Sequence, residues 1–167
     1  MRFDPDKFIF IENRGQMLDD LFIYLYYFIK QDKFGEYFFC SNNSTITEAE
    51  FVNNCKKANF YIGLYDGYIA GVVWVTPVKN HIGVLDYFIF PKFRGGLAKE
   101  IAKSALNKLL NNKWFLIIGL SPACNIAGTK FLSKIGMTII GTMKDTKWFD
   151  KEQRYTDTIV SYIRRDI

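Results

Sequence analysis

Two groups of residues in this chain have the types and spacing to do chemistry, and both lie in Val84–Leu109, VLDYFIFPKFRGGLAKEIAKSALNKL. The first is Arg94-Gly95-Gly96. Val84–Phe90 is an apolar, β-branched and aromatic run that suits a buried strand, and Pro91 ends it because proline cannot donate a ladder hydrogen bond. From Leu97 onward Leu97, Ile101, Ala105 and Leu109 fall on one side of a helix. The basic glycine turn therefore sits between a strand and a helix. The first helical amides have no partner inside the helix, the helix dipole adds partial positive charge there, and glycines let a ligand come close to the backbone. Arg94 adds a planar fork of donors. Together these make an anion site, most naturally for a phosphate group. A plain chain-turning glycine pair is the alternative. The second group is one residue, Asp86, the only acid in the apolar run. A carboxylate there is partly desolvated, which raises its pKa; a hydrogen-bonded structural aspartate is the bland reading.

The elements that position these residues follow from periodicity. Phe8–Glu12 reads as a first strand and Met17–Gln31 as a helix with Leu18, Leu21, Phe22, Leu25, Phe28 and Ile29 on one face. Lys33–Asn43 reads as either loop or short strand. Ser44 or Thr45 caps a second helix running to about Lys57, with Glu48 and Glu50 in its first turn. Phe60–Tyr65, Asp66-Gly67 and Tyr68–Val78 form a hairpin, since Asp-Gly supplies the positive φ of a tight turn, and Gly71 marks a bulge. A strand at Gly83–Phe90 and a helix at Leu97–Asn112 follow. After them come a strand at Trp114–Leu120, a helix at Asn125–Ile135 and a strand at Met137–Lys144. Asp145–Tyr155 reads as a loop, and Asp157–Ile163 as the last strand. This order predicts one domain over residues 1–167, of class α/β (α+β), with a single mixed, mostly antiparallel central sheet flanked by helices.

Composition narrows the function classes. At 167 residues, with 49% hydrophobic and 17% aromatic residues, the chain can bury a sizeable core, which excludes disorder. The net charge of +5 suits an anionic ligand and is modest for a nucleic-acid protein. Cys40, Cys55 and Cys124 are widely spaced without a CxxC, and His81 is the only histidine, so neither a metal site nor a disulfide frame is expected. Reduced thiols and a cytoplasmic setting are the default. His81 falls at a turn and reads as surface; Cys124 reads as an inert thiol, with no base beside it. The N-terminus does not read as a signal peptide, and Leu21–Ile29 is too short to span a bilayer, which takes ~20 residues.

Pro91–Ala98, PKFRGGLA, resembles the acyl-CoA loop of the GNAT superfamily of N-acetyltransferases, which reads Arg-Gly-any-Gly-any-Gly/Ala after a strand and opens a helix. Arg94, Gly95, Gly96 and Ala98 carry the match, with one residue missing between the glycines. Asn125–Met137 resembles the family's late helix in its Asn, small residue, Phe131, Lys134 and Gly136. Asn59–Val78 resembles its central hairpin, so the likeness spans roughly 59 to 163.

The resemblance implies transfer of an acetyl group from acetyl-CoA, a co-substrate, to a primary amine of a small molecule or peptide by direct attack in a ternary complex, with no metal, nucleic acid or membrane involved. Arg94, Gly95, Gly96, Leu97 and Ala98 would hold the pyrophosphate. Phe88, Ile89 and Phe90 would pair the pantetheine arm as a strand edge pairs a peptide, and a backbone amide there could serve the oxyanion. Asn125 would add a hydrogen bond and Phe131 packing. Asp86 is the candidate base that takes the acceptor's proton, directly or through water. The family's late-helix tyrosine is replaced by Leu132, which leaves Tyr87 or departure of the free thiolate. Two further readings stand beside this one: a fold relative without catalysis, and a small nucleic-acid-binding domain. The apolar last strand could also pair two copies into a homodimer.

Overall fold

The Asp66-Gly67 pair turns the chain where its dihedral needs predict, with φ of 53° and 79° at the two residues, and the hairpin it closes is the centre of the fold. A computed structural model describes residues 3–13, 19–39 and 46–165. Seven strands form one sheet in the order β1-β2-β3-β4-β5-β7-β6. They are β1 (Phe8–Asn13), β2 (Asn59–Tyr65), β3 (Tyr68–Lys79), β4 (Ile82–Ile89), β5 (Leu116–Pro122), β6 (Thr138–Phe149) and β7 (Arg154–Arg164). Every neighbouring pair is antiparallel except β4–β5. That parallel pair needs a crossover, and helix α4 (Gly96–Asn112) supplies it.

Helices cover both faces. On one, α1 (Asp19–Gln31) and α3 (Glu48–Lys57), with the short α2 (Gly35–Phe38), bury Phe22, Leu25, Ile29, Phe51 and Cys55 against Phe60, Val72, Trp74 and Phe88. On the other, α4 and α5 (Ile126–Lys134) bury Leu106, Leu109, Leu132 and Ile135 against Tyr61, Val75, Leu85 and Ile117. Alternate residues of β3 and β4 enter the two cores, as the pleat requires. No helix among the described residues is long and apolar enough to cross a membrane.

Several boundaries differ from the sequence reading. Thr47 caps α3, in a capping box with Glu50; Ser44 and Thr45 lie outside the described residues, as do Met17 and Leu18 at the expected start of α1. The bulge does fall beside Gly71 on β3, where Ala70 is the extra residue between Gly71 and Ile69, the partners of Gly63 and Leu64. The segment 145–155 is not a loop: β6 runs on through Trp148 to Phe149, and β7 begins at Arg154 after one helical turn. A register shift between Met143 and Lys147 absorbs the polar Lys-Asp-Thr insertion that breaks the alternation.

Candidate active site

The site is where β4 loses a neighbour. The β4–β5 ladder runs from Ile82↔Leu116 to Leu85↔Gly119 and stops. β5 continues as Leu120–Pro122 but pairs only with β7, whereas β4 continues to Ile89 paired only with β3. The two strands part at Asp86, and Asp86–Ile89 forms one bank of a gap inside the sheet. The Phe90 amide donates to the Ala70 carbonyl at 3.0 Å, so by alternation Phe88 and Phe90 turn their backbone groups to β3 while Tyr87 and Ile89 turn theirs to the gap. Of the three residues read as partners for an extended ligand, only Ile89 faces it, and Tyr87 joins it.

Past β4 the chain makes one turn at Pro91–Phe93 and reaches Gly95 at φ 89° and ψ −132°, a conformation that favours glycine. Gly95 is the N-cap of α4 and, having no side chain, leaves the first amides at Gly96, Leu97 and Ala98 without a side-chain cap, and no acid lies in the first turn. A Cβ placed on Gly95 or Gly96 would meet nothing within 4 Å. The turn thus offers free amides, a helix dipole and open space, which suits a diphosphate.

Arg94 takes a different position from the one its charge suggests. Its Nε donates to the Ile89 carbonyl at 2.9 Å, and its Nη1 lies 2.8 Å from Asp32 just past α1. Its guanidinium packs 5.0 Å from the Phe34 ring and 5.1 Å from Phe88. The Asp32 side chain is only 7% exposed and that of Arg94 22%. Arg94 therefore ties the glycine turn to α1 and covers one carbonyl of the gap, and attraction for an anion falls to the amides.

Asp86 stands at the fork itself. It lies opposite Trp74 on β3 and shares the α1 side of the strand with Phe88. Water reaches its carboxylate, which keeps accessible surface, yet protein fills most directions around it. That desolvation pushes its pKa up to about 6; the charge of Lys147 and the Trp74 indole oppose the rise. Burial, with the charge of Asp86, pushes the nearby Cys55 thiol up to about 12, so Cys55 is inert. Tyr87 faces the opposite side, 5.8 Å from Phe131 on α5, and burial raises its pKa, which keeps the phenol protonated.

Asn125 is the N-cap of α5, its Oδ1 accepting from the Gly128 amide at 2.9 Å. Thr129, one turn on, has a buried hydroxyl without a hydrogen-bond partner. Leu132 is buried in the core. His81 lies at the other end of β4, bonded through Nδ1 to the Lys113 carbonyl at 2.8 Å. Sequence reasoning does not single out Asp32, Trp74 or Lys147; the pairing of Trp74 with Asp86 follows from the hairpin register, while the other two depend on long-range packing.

No family model matches the sequence, and no curated protein matches it. Solved structures do match. RimL, a ribosomal L7/L12 α-N-protein acetyltransferase in complex with coenzyme A, superposes with TM-score 0.70 at 12% identity, over 96% of this chain and 95% of that one. The ribosomal-protein-S5-alanine acetyltransferase of Vibrio fischeri gives 0.69 at 14%, over 99% and 96%. The microcin C7 self-immunity acetyltransferase MccE, in complex with acetyl-CoA and AMP, gives 0.67 at 17%, over 96% and 93%. The chain thus has the GNAT acetyltransferase fold.

Proposed function

We propose that this protein is an acyl-CoA-dependent N-acetyltransferase that moves an acetyl group from acetyl-CoA to a primary amine within a ternary complex. One observation carries the reading: a carboxylate stands where two strands part, beside an uncapped glycine turn that opens a helix. The residues fit coenzyme A. The Gly96, Leu97 and Ala98 amides would take the diphosphate, the backbone groups of Tyr87 and Ile89 would pair with the amides of the arm, and the orphaned Thr129 hydroxyl and Phe131 flank it from α5. Bound there, the cofactor supplies an activated thioester. Asp86, reached from the α1 side, removes the proton of the acceptor ammonium, and a Tyr87 or Ile89 amide facing the gap stabilises the oxyanion. As the new C–N bond forms the C–S bond breaks. Tyr87 is the protonated group on the side from which the thiolate leaves.

The fold neighbours support the cofactor class: RimL was solved with coenzyme A, and MccE and the Salmonella typhimurium protein yncA with acetyl-CoA. A second reading, a fold relative that binds without transfer, draws on Leu132 and on the engagement of Arg94 by Asp32. Calorimetry with acetyl-CoA, followed by a thiol-release assay over an amine panel, separates the two. Binding with amine-dependent thiol release is expected; binding without release for any amine supports the second reading, and no binding contradicts both.

A further inference from the structure

The recess over Asp86 holds a cation that the transfer chemistry does not use. Cross-strand partners share a face of a sheet, so Lys147, opposite Thr156, points to the same side as Phe149, two residues on. That side is fixed by contact: the Phe149 ring stacks on Tyr37 of α2, centroids 5.5 Å apart and planes 5° from parallel, and Lys151 lies 3.2 Å from Glu36. It is also the side on which Asp86 and Phe88 lie, since Phe88 packs on Phe28 and Phe38 of α1 and α2. Lys147, on β6 beyond the β5 side of the fork, and Asp86, on β4, thus lie on one face of the sheet, near enough for the lysine's charge to act on the carboxylate. The neighbouring basic groups are paired: Arg94 with Asp32, Lys144 with Asp157 and Lys151 with Glu36. Lys147 is half-buried, and among the described residues it has no ion-pair or hydrogen-bond partner.

The one anion that faces Lys147 is Asp86, which acts on it through charge without a direct ion pair, so a half-buried ammonium there gains from an anion that a ligand brings. A base that must receive an ammonium would also not be faced by a second cation if the acceptor were itself polycationic, because like charges across the recess repel. We propose that the acceptor is an amine bearing its own anionic group, a carboxylate or a phosphate, which Lys147 pairs while Asp86 receives the ammonium. The inference rests on the N-acetyltransferase reading and names its acceptor class. It disfavours polyamines and lysine side chains of basic peptides.

The test uses matched amines in the thiol-release assay: phenylalanine against phenylalaninamide for the carboxylate, O-phosphoethanolamine against ethanolamine for the phosphate, and spermidine as polycation. At least one anionic member is expected to exceed its neutral counterpart tenfold or more in kcat/KM; which pair shows it identifies the anion. Lys147→Gln is expected to bring that ratio near one, and Lys147→Glu to turn the preference toward spermidine. Equal rates within both pairs, a ratio that Lys147→Gln leaves intact, or acetyl-CoA binding with no turnover on any member would overturn the proposal. Calorimetry on the same preparations reports acetyl-CoA binding separately, so failure of the underlying reading is seen as lost binding, or as binding without turnover on any amine, whereas failure of this proposal alone is seen as turnover without discrimination.

Discussion

The two halves of β4 belong to one continuous strand and have opposite roles. Ile82–Leu85 is bonded on both sides, to β3 and β5, and its side chains and backbone are satisfied within the protein. Asp86–Ile89 is bonded on one side only, so Tyr87 and Ile89 keep backbone groups for something outside the chain. Unpaired backbone inside a sheet is unfavourable unless water or a ligand completes it. The closed half of the strand therefore maintains the fold, and the open half is available for chemistry. Arg94 marks the border, covering the Ile89 carbonyl at the open end while holding the turn to Asp32.

Substitutions in the two halves should give opposite phenotypes. In the open half, Asp86→Asn is expected to lower kcat by ~10²–10⁴, the range for loss of a positioned base, while acetyl-CoA affinity measured by calorimetry stays within twofold. The wild-type kcat/KM should rise with pH to a plateau above about 6, where Asp86 is deprotonated, and Lys147→Gln should move the midpoint upward because the lysine's charge favours the carboxylate. The same raised pKa affects stability with a definite sign. Compared with the Asp86→Asn variant, wild type should be equally stable below the ordinary aspartate range and lose stability as pH rises through about 6, where the folded state must keep a partly desolvated charge. Thermal melts at pH 4 and pH 7.5 read the difference.

At the border, Arg94→Ala leaves the Asp32 carboxylate unpaired at 7% exposure. It is expected to cost about 3 kcal/mol in chemical denaturation, at the low end for breaking a buried pair, and to weaken acetyl-CoA binding by loosening the turn. In the closed half, Gly83→Ala would drive a Cβ into Val75 and to 2.8 Å from the Trp114 ring. Overpacking of this kind costs about 2 kcal/mol, with cofactor affinity unchanged at a temperature where the variant is folded. The smallest effect separates site from scaffold most cleanly. Gly96→Ala meets no protein atom within 4 Å and should stabilise by about 0.5 kcal/mol by restricting the unfolded chain, yet weaken acetyl-CoA binding several-fold because the methyl occupies the phosphate's space.

Much of this arrangement was legible in the sequence because it is encoded locally. The Asp-Gly turn, the apolar β4, the proline that ends it and the helical spacing from Leu97 each carry their own signal, and together they place Asp86 five residues before Pro91 and the turn it opens. The family likeness in Asn125–Met137 also corresponds to a real helix with its cap at Asn125. What was not legible depends on partners distant in sequence. A half-paired strand and a fully paired one read alike, so the fork is invisible until β5 stops pairing with β4 at Gly119. Arg94 looked like a free cation because Asp32, which engages it, lies 62 residues away. The β6 extension was lost to a polar bulge, and with it the placement of Lys147 over the recess.

A 15N-labelled spectrum titrated with coenzyme A tests the central division of β4 most directly. The amides of Tyr87, Ile89, Gly96, Leu97 and Ala98 should shift or exchange on binding, while those of Gly83 and Leu85 keep their positions. Saturating coenzyme A that left the first group unmoved, or that shifted the closed half in its place, would contradict the account.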